Sequence, residues 1–306
     1  MIVLDRASRW YGQVIGINDI TCQVPPGLTA LLGPNGAGKS TLIKLVSGQL
    51  RPTTGTVTVD DLRPFANPKV FKTLGYCPEG ESLYDDLSGR DFVSLMAGMA
   101  GLRGLKLRKG VDDAIERVGM TANAGRRIGG YSKGMRQRIK LAQAFVHDPD
   151  VLILDEPLNG LDPQGRHEIS TLIRALADEG KCVLISSHIL YEVEQLTHNI
   201  LLLYRGRLLA QGDVYHIRGL IDKHPHRIAF QTAEPRRLGA ALLELPHVLS
   251  LQLDRRDPER LELETTNPEA FYSRLPEVLR DSNVELDGFD SPDNNLESVF
   301  RYLVKD

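Results

Sequence analysis

Cysteine is scarce in this chain. Cys22, Cys77 and Cys182 are the three among 306 residues, and none stands in a CxxC or metal-ligand spacing. They read as small core residues of a protein kept in a reducing compartment. Long apolar runs are also missing: none approaches the ~20 residues that span a bilayer. The opening Met1-Ile2-Val3-Leu4-Asp5-Arg6 has neither the basic start nor the extended apolar stretch of a signal peptide, so a cytoplasmic location is expected. There are no fixed-period repeats or low-complexity tracts. A strong excess of positive charge is absent too. The net charge of −3 speaks against a nucleic-acid footprint, and no nucleic-acid partner is expected.

With 42% hydrophobic and 25% charged residues, the chain has an ordinary globular composition and enough length for one large or two ordinary domains. Its charge is uneven. Residues 220–306 carry 11 Lys+Arg against 17 Asp+Glu, a balance of −6, which leaves 26 against 23, or +3, for residues 1–219. Because the hydrophobic pattern changes at the same place, the expected domains are 1–219 and 220–306.

The most informative stretch is Gly33-Pro34-Asn35-Gly36-Ala37-Gly38-Lys39-Ser40-Thr41, between the apolar run Leu28–Leu32 and the amphipathic run Leu42–Val46. Strand, glycine-rich loop and helix in that order are the setting in which GxxxxGK[ST] binds phosphate. Glycines allow successive backbone N–H groups to point inward, and the helix adds the positive end of its dipole. Lys39 supplies a full charge for the β- and γ-phosphates, and the Ser40 hydroxyl is a Mg²⁺ ligand in such loops. A nucleoside triphosphate is the expected ligand.

Upstream, residues 2–11 and 19–24 read as strands around a turn at Gly12. Tyr11 ends the first, where its ring either stacks on a nucleotide base or closes a sheet edge. Downstream come β-rich runs at 56–59 and 74–77. A helical region of about 85–147 follows, clearest over 109–118 and 132–146. Met135, Ile139, Ala142 and Val146 share one face of the second of these helices, and Ser132 stands where an N-cap belongs. Val151-Leu152-Ile153-Leu154 reads as a buried parallel strand ending in Asp155-Glu156, at the carboxyl edge where α/β sheets hold ligands. A helix at 163–179, a strand at 182–186 leading to His188, and a hairpin 200–204/208–211 complete this part. The remainder reads strand 227–232, helix 235–244, strand 247–253, strand 260–265, helix 268–280, strand 283–289. That is a β-α-β-β-α-β order, as in ferredoxin-like units, followed by a helix with Leu296, Val299, Phe300, Leu303 and Val304 on one stripe. The fold class is therefore α/β, with a small α+β domain appended.

Behind a phosphate loop, Asp155 is suited to be the second Mg²⁺ partner alongside Ser40, and Glu156 is free to activate a water for in-line attack. His188, at the end of a neighbouring strand, can hold water and carboxylate in position.

These motifs resemble those of the ATP-hydrolysing subunits of ABC transporters. Gly33–Thr41 matches the Walker A loop of that family, and Val151–Glu156 its Walker B strand with the catalytic glutamate. Asn159-Gly160-Leu161-Asp162 resembles the D-loop, His188 the switch histidine, and Tyr11 the aromatic that stacks on adenine. Tyr131-Ser132-Lys133-Gly134-Met135 stands where the signature LSGGQ stands. The resemblance covers residues 1 to about 215. It implies a P-loop NTPase core with a mostly parallel sheet, an antiparallel β subdomain and a helical subdomain, using ATP and Mg²⁺. It departs from the family in two places. The signature keeps only Ser132 and Gly134, a hydroxyl and an unencumbered N–H at a helix start suited to a phosphate. Glu79 stands where Gln is usual; it can bind Mg²⁺ but adds negative charge.

The resemblance also implies a head-to-tail pair of ATPase subunits, in which one chain's Ser132 and Gly134 cap nucleotide held by the other. A homodimer working with integral membrane permease subunits, peripheral to the inner face of the cell membrane, is the expected assembly. Such departures, together with the terminal Leu296-Glu297-Ser298-Val299-Phe300, are similar to exporters whose ATPase is a separate chain. The alternative is an ABC-type ATPase acting on nucleic acid or ribosomes, or as a regulator.

Overall fold

A computed structural model describes residues 1–80, 83–219, 225–293 and 295–305. They divide into two units, Met1–Gly212 and Asp213–Asp306. The charge break after residue 219 therefore falls slightly late, and residues 220–224 lie outside the described residues.

In the first unit the order is β1 (Ile2–Tyr11), β2 (Val14–Val24), β3 (Gly27–Leu32), α1 (Lys39–Val46), β4 (Thr54–Val59), β5 (Leu74–Cys77), α2 (Gly89–Met99), α3 (Gly104–Arg117), α4 (Lys133–Phe145), β6 (Val151–Asp155), α5 (Pro163–Asp178), β7 (Cys182–Ser186), α6 (Leu190–Glu194), β8 (Asn199–Tyr204) and β9 (Arg207–Asp213). Six strands form one sheet in the order β5-β6-β7-β3-β8-β9, and three form a second in the order β2-β1-β4. The large sheet pairs parallel from β5 through β8, while both pairings in the small one are antiparallel. Burial explains the sequence pattern: every residue of β6 and of β7 is buried, so neither strand alternates. Leu42, Ile43, Leu45 and Val46 of α1 enter a core shared with Ile2, Leu4 and Ile20 of the small sheet and Leu31, Leu184 and Leu201 of the large one. Each such side chain contributes roughly 1.5–3 kcal/mol. All three cysteines are buried and free, with burial raising their thiols to about 12, 12 and 11 for Cys22, Cys77 and Cys182.

The second unit contains α7 (Val214–Gly219), β10 (His226–Gln231), α8 (Pro235–Leu242), β11 (Val248–Leu253), β12 (Arg260–Thr265), α9 (Pro268–Ser282), β13 (Gly288–Asp290) and α10 (Leu296–Lys305). Its antiparallel sheet runs β11-β12-β10-β13, the arrangement of a split β-α-β unit. Ile228, Phe230, Leu261 and Leu263 meet Leu238, Leu242, Phe271 and Leu275 of α8 and α9 in its core. The helix α7 joins this unit because the fully buried Arg218 pairs with Asp293 at 2.6 Å, and Asp293 also accepts from Arg227 N and from the Tyr302 hydroxyl on α10. Leu296 and Val299 of the terminal stripe are buried, whereas the Phe300 and Val304 side chains lie outside the described residues. No helix among the described residues is long and apolar enough to cross a membrane.

Candidate functional site

The loop between β3 and α1 is shaped by what surrounds its glycines. Gly33 has φ 148°, and a Cβ there would lie 2.3 Å from the Leu203 carbonyl oxygen. Gly38, the N-cap of α1 with φ 108°, would place a Cβ 2.6 Å from the Gly16 carbonyl. Only glycine fits either position. The helix start has no side-chain cap, so its N–H groups remain open to an anion. Lys39 curls back over the loop, its Nζ donating to the carbonyls of Gly33 at 2.6 Å and Pro34 at 3.3 Å.

This loop opens into a pocket of about 350 Å³. Pro34, Asn35, Gly36, Gly38, Lys39, Ser40 and Thr41 line one side, and Glu79, Asp155, Glu156 and His188 line the other. The parallel sheet makes this convergence. Asp155 at the end of β6 is in register with Ser186 at the end of β7, next to the strand that feeds the loop. The buried Ser186 hydroxyl donates to Asp155 Oδ1 at 2.6 Å and accepts from Glu156 N at 2.9 Å. Glu156 takes φ 49°, unusual for a residue with a side chain and the kind of local strain that gathers at functional sites. His188 Nδ1 lies 2.9 Å from Glu156 Oε2. Ser186 was not among the expected site residues. A serine closing the apolar strand beside the one that ends in Asp155 was the available signal.

Burial raises the Asp155 carboxyl above its ordinary range, opposed by the Ser186 hydrogen bond, while Glu79 raises it further. Burial also raises Glu156, opposed by its hydrogen bond to His188. The native state thus holds the Asp155 proton more tightly than the unfolded chain does. Stability of the nucleotide-free protein falls as pH rises from the ordinary Asp value through the raised native one. Asp155→Asn is therefore expected to raise the melting temperature at neutral pH and to flatten its dependence on pH across that window. A lower melting temperature from thermal scans of the nucleotide-free variant would contradict this electrostatic account.

The donor set suits Mg²⁺. Ser40, Asp155 and Glu79 offer hard oxygens around one pocket, and Asp155 is a carboxylate whose charged form is disfavoured by burial more than Ser186 and the nearby lysines offset. Among the described residues no cluster of three or more His, Cys, Asp or Glu forms a ready-made metal cage. Mg²⁺ does not require one, since it commonly takes one or two carboxylates together with phosphate and water.

Tyr11 is at the rim rather than in the lining. It is 42% exposed, its hydroxyl is 3.4 Å from Thr41 Oγ1, and Arg9 sits 5.2 Å from its ring centroid. Ser132 and Gly134 are not brought into this pocket. The exposed Ser132 caps α4, accepting from Met135 N at 3.2 Å. A Cβ on Gly134 would meet Gly160 O at 3.7 Å, which sets the signature beside the 159–162 turn. Asp162 in that turn caps α5 through Gly165 N at 2.8 Å.

A phosphate loop facing two strand-end carboxylates defines a nucleoside-triphosphate site, and comparison with known proteins says of which kind. The ABC transporter family pattern matches residues 17–159. An uncharacterized ABC transporter ATP-binding protein of Bacillus subtilis, YxlF, is 32% identical across 99% of both chains. The daunorubicin resistance ATP-binding protein DrrA3 of Streptomyces coeruleorubidus is 30% identical across 100% of this chain and 96% of its own. A solved ATP-binding subunit of an ABC transporter superposes with a TM-score of 0.66 at 29% identity, covering 71% of this chain and 92% of that one. The chain belongs to the ABC transporter ATP-binding proteins, and it is an ATPase of that family.

Proposed function

We propose that this chain powers an exporter, as one of two identical ATPase subunits that close head to tail on ATP and act on separate membrane permease subunits at the cytoplasmic face. The observation that carries the paired mechanism is the split of the expected site. Lys39, Ser40, Asp155, Glu156 and His188 share one pocket, while the exposed Ser132 and the half-buried Gly134 lie outside its lining. Relatives named for daunorubicin resistance, bacitracin transport and Nod factor export support the export direction.

In this reading the loop N–H groups and Lys39 bind the phosphates, with Lys39 exchanging its carbonyl partners for phosphate oxygens. Ser40 and Asp155, with Glu79, would hold Mg²⁺, which supplies charge neutralisation at the phosphate oxygens. Glu156, fixed at its backbone by Ser186, takes the proton of the attacking water at a carboxylate oxygen. His188 orients that carboxylate through the 2.9 Å contact. The partner subunit's helix start, capped by Ser132, closes the site against water.

Two measurements test the proposal. Purification from detergent-solubilised membranes should yield the chain with an integral membrane protein whose presence stimulates ATP turnover; recovery with ribosomes or DNA instead would overturn the transport reading. Tyr11→Ala should weaken nucleotide binding by on the order of 1–3 kcal/mol if the ring stacks on the base. An unchanged affinity in a fluorescent-nucleotide titration would assign Tyr11 to the sheet edge alone.

A further inference from the structure

Lys140 is a lysine in a place where lysine is costly. It sits in the middle of α4, 4% exposed, on the side of the helix that faces β5 rather than solvent. Its Nζ donates to three consecutive carbonyl oxygens, those of Pro78 at 2.9 Å, Glu79 at 2.9 Å and Gly80 at 3.2 Å. An ammonium carries three donors on one atom, and this turn supplies three acceptors around it. One residue of that turn, Glu79, lines the phosphate-loop pocket.

The same helix is fastened to the strand before the turn. Gln143 Nε2 donates to Tyr76 O at 2.7 Å. At Gly75 the two backbones are so close that a Cβ would lie 1.9 Å from the Ala144 carbonyl oxygen. Contact of this kind leaves little freedom between α4 and β5, so the course of the turn depends on what its carbonyls find above them. An apolar side chain at 140 would leave three carbonyls without that donor, and the turn would have to move to find water. Arginine keeps the charge, but its planar fork points its donors in fixed directions that do not converge on one point.

We propose that Lys140 is a positioning residue of the ATPase site: by gathering the carbonyls of 78–80 it fixes the main chain that aims the Glu79 carboxylate at the pocket. The proposal rests on the reading of Glu79, Asp155 and Ser40 as the Mg²⁺ partners. Lys140 is not in the lining of the phosphate-loop pocket, so apart from the favourable charge it presents to Asp155 its effect should pass through Glu79.

The test uses the full chain and ATP hydrolysis as a function of Mg²⁺ concentration, with nucleotide binding in chelator as a second readout. In Lys140→Met the Mg²⁺ concentration for half-maximal activity is expected to rise about tenfold, the usual scale for losing a residue that orients a metal ligand. Binding without Mg²⁺ should stay close to wild type. Glu79→Ala should give a similar rise. The double variant should be no worse than either single one, because both remove the same carboxylate from the same place. A folded Lys140→Met with unchanged Mg²⁺ dependence would overturn the proposal, as would a double variant in which the two effects multiply. Gln143→Leu, which cuts the neighbouring tie and leaves Lys140 in place, should lower melting temperature without moving the Mg²⁺ curve. If Lys140→Met does not fold, Lys140→Arg in the same two backgrounds gives the same comparison. Wild-type hydrolysis that needs no Mg²⁺ would instead remove the underlying metal reading. A Mg²⁺-dependent wild type with an indifferent Lys140 removes only the positioning role.

Discussion

Glu156→Gln is expected to bind ATP and hardly turn it over, with hydrolysis reduced on the order of 10²–10⁴-fold. The amide keeps the size of the side chain. The Ser186 bond survives because it goes to the backbone N–H, and Asp155 is untouched. What is lost is a proton acceptor at the one residue that combines a strained backbone, a strand-end position and a histidine at 2.9 Å. Phosphate release measures the loss. Chromatography in ATP should show the variant accumulating as a dimer, since closure then outlasts the step that would end it. The pH profile adds a second signature. Burial raises the Glu156 carboxyl, so the ionised base disappears at a higher pH than an ordinary glutamate would. The acid limb of the wild-type rate should be displaced upward accordingly. Turnover near the wild-type rate in the variant would end the assignment.

Ser132→Arg should abolish hydrolysis while leaving nucleotide affinity intact. The serine is absent from the lining of its own chain's pocket, so binding has no reason to change. Losing the cap on α4 costs about 1 kcal/mol, which is insufficient to unfold a domain. The informative experiment is a mixture. A dimer of one Ser132→Arg chain and one Glu156→Gln chain contains one site with an intact base and an intact opposing serine. Two inactive proteins should then regain hydrolysis when combined before ATP is added. Failure to regain it, with dimers demonstrably exchanged, would mean that Ser132 acts within its own chain or not at all.

The most readable parts of the sequence were those where one physical demand acts alone. The apolar runs at 151–154 and 182–186 read as strands, and both are fully buried strands. The phosphate loop announced itself through residue types that few other structures require together. Elements held by long-range contact were harder to see. The strand β2 begins at Val14, well before the expected 19, because pairing with β1 carries it through Gly16 and the polar Asn18-Asp19. The helix α2 is hidden in a generally helical stretch, although Ser88 caps it by accepting from Asp91 N and donates its own hydroxyl to the Asp91 carboxylate. Where a strand was expected over 283–289, Asn283 takes φ 51° to end α9 and Val284 enters the core from a connecting segment. Only Gly288–Asp290 pairs. The carboxylates of the site were legible. Their support by Ser186 and the turn held by Lys140 were not, since both depend on which strands and helices become neighbours.

The shared hydroxyl of Ser186 has a consequence for how such an enzyme can change. Its one hydrogen is committed to Asp155 and its lone pair to the backbone of Glu156. On the roles proposed above for Asp155 and Glu156, metal binding and water activation hang from a single pin, and altering it disturbs both. Variation in rate has to come from farther out, from a group such as His188, which contacts Glu156 and not Asp155.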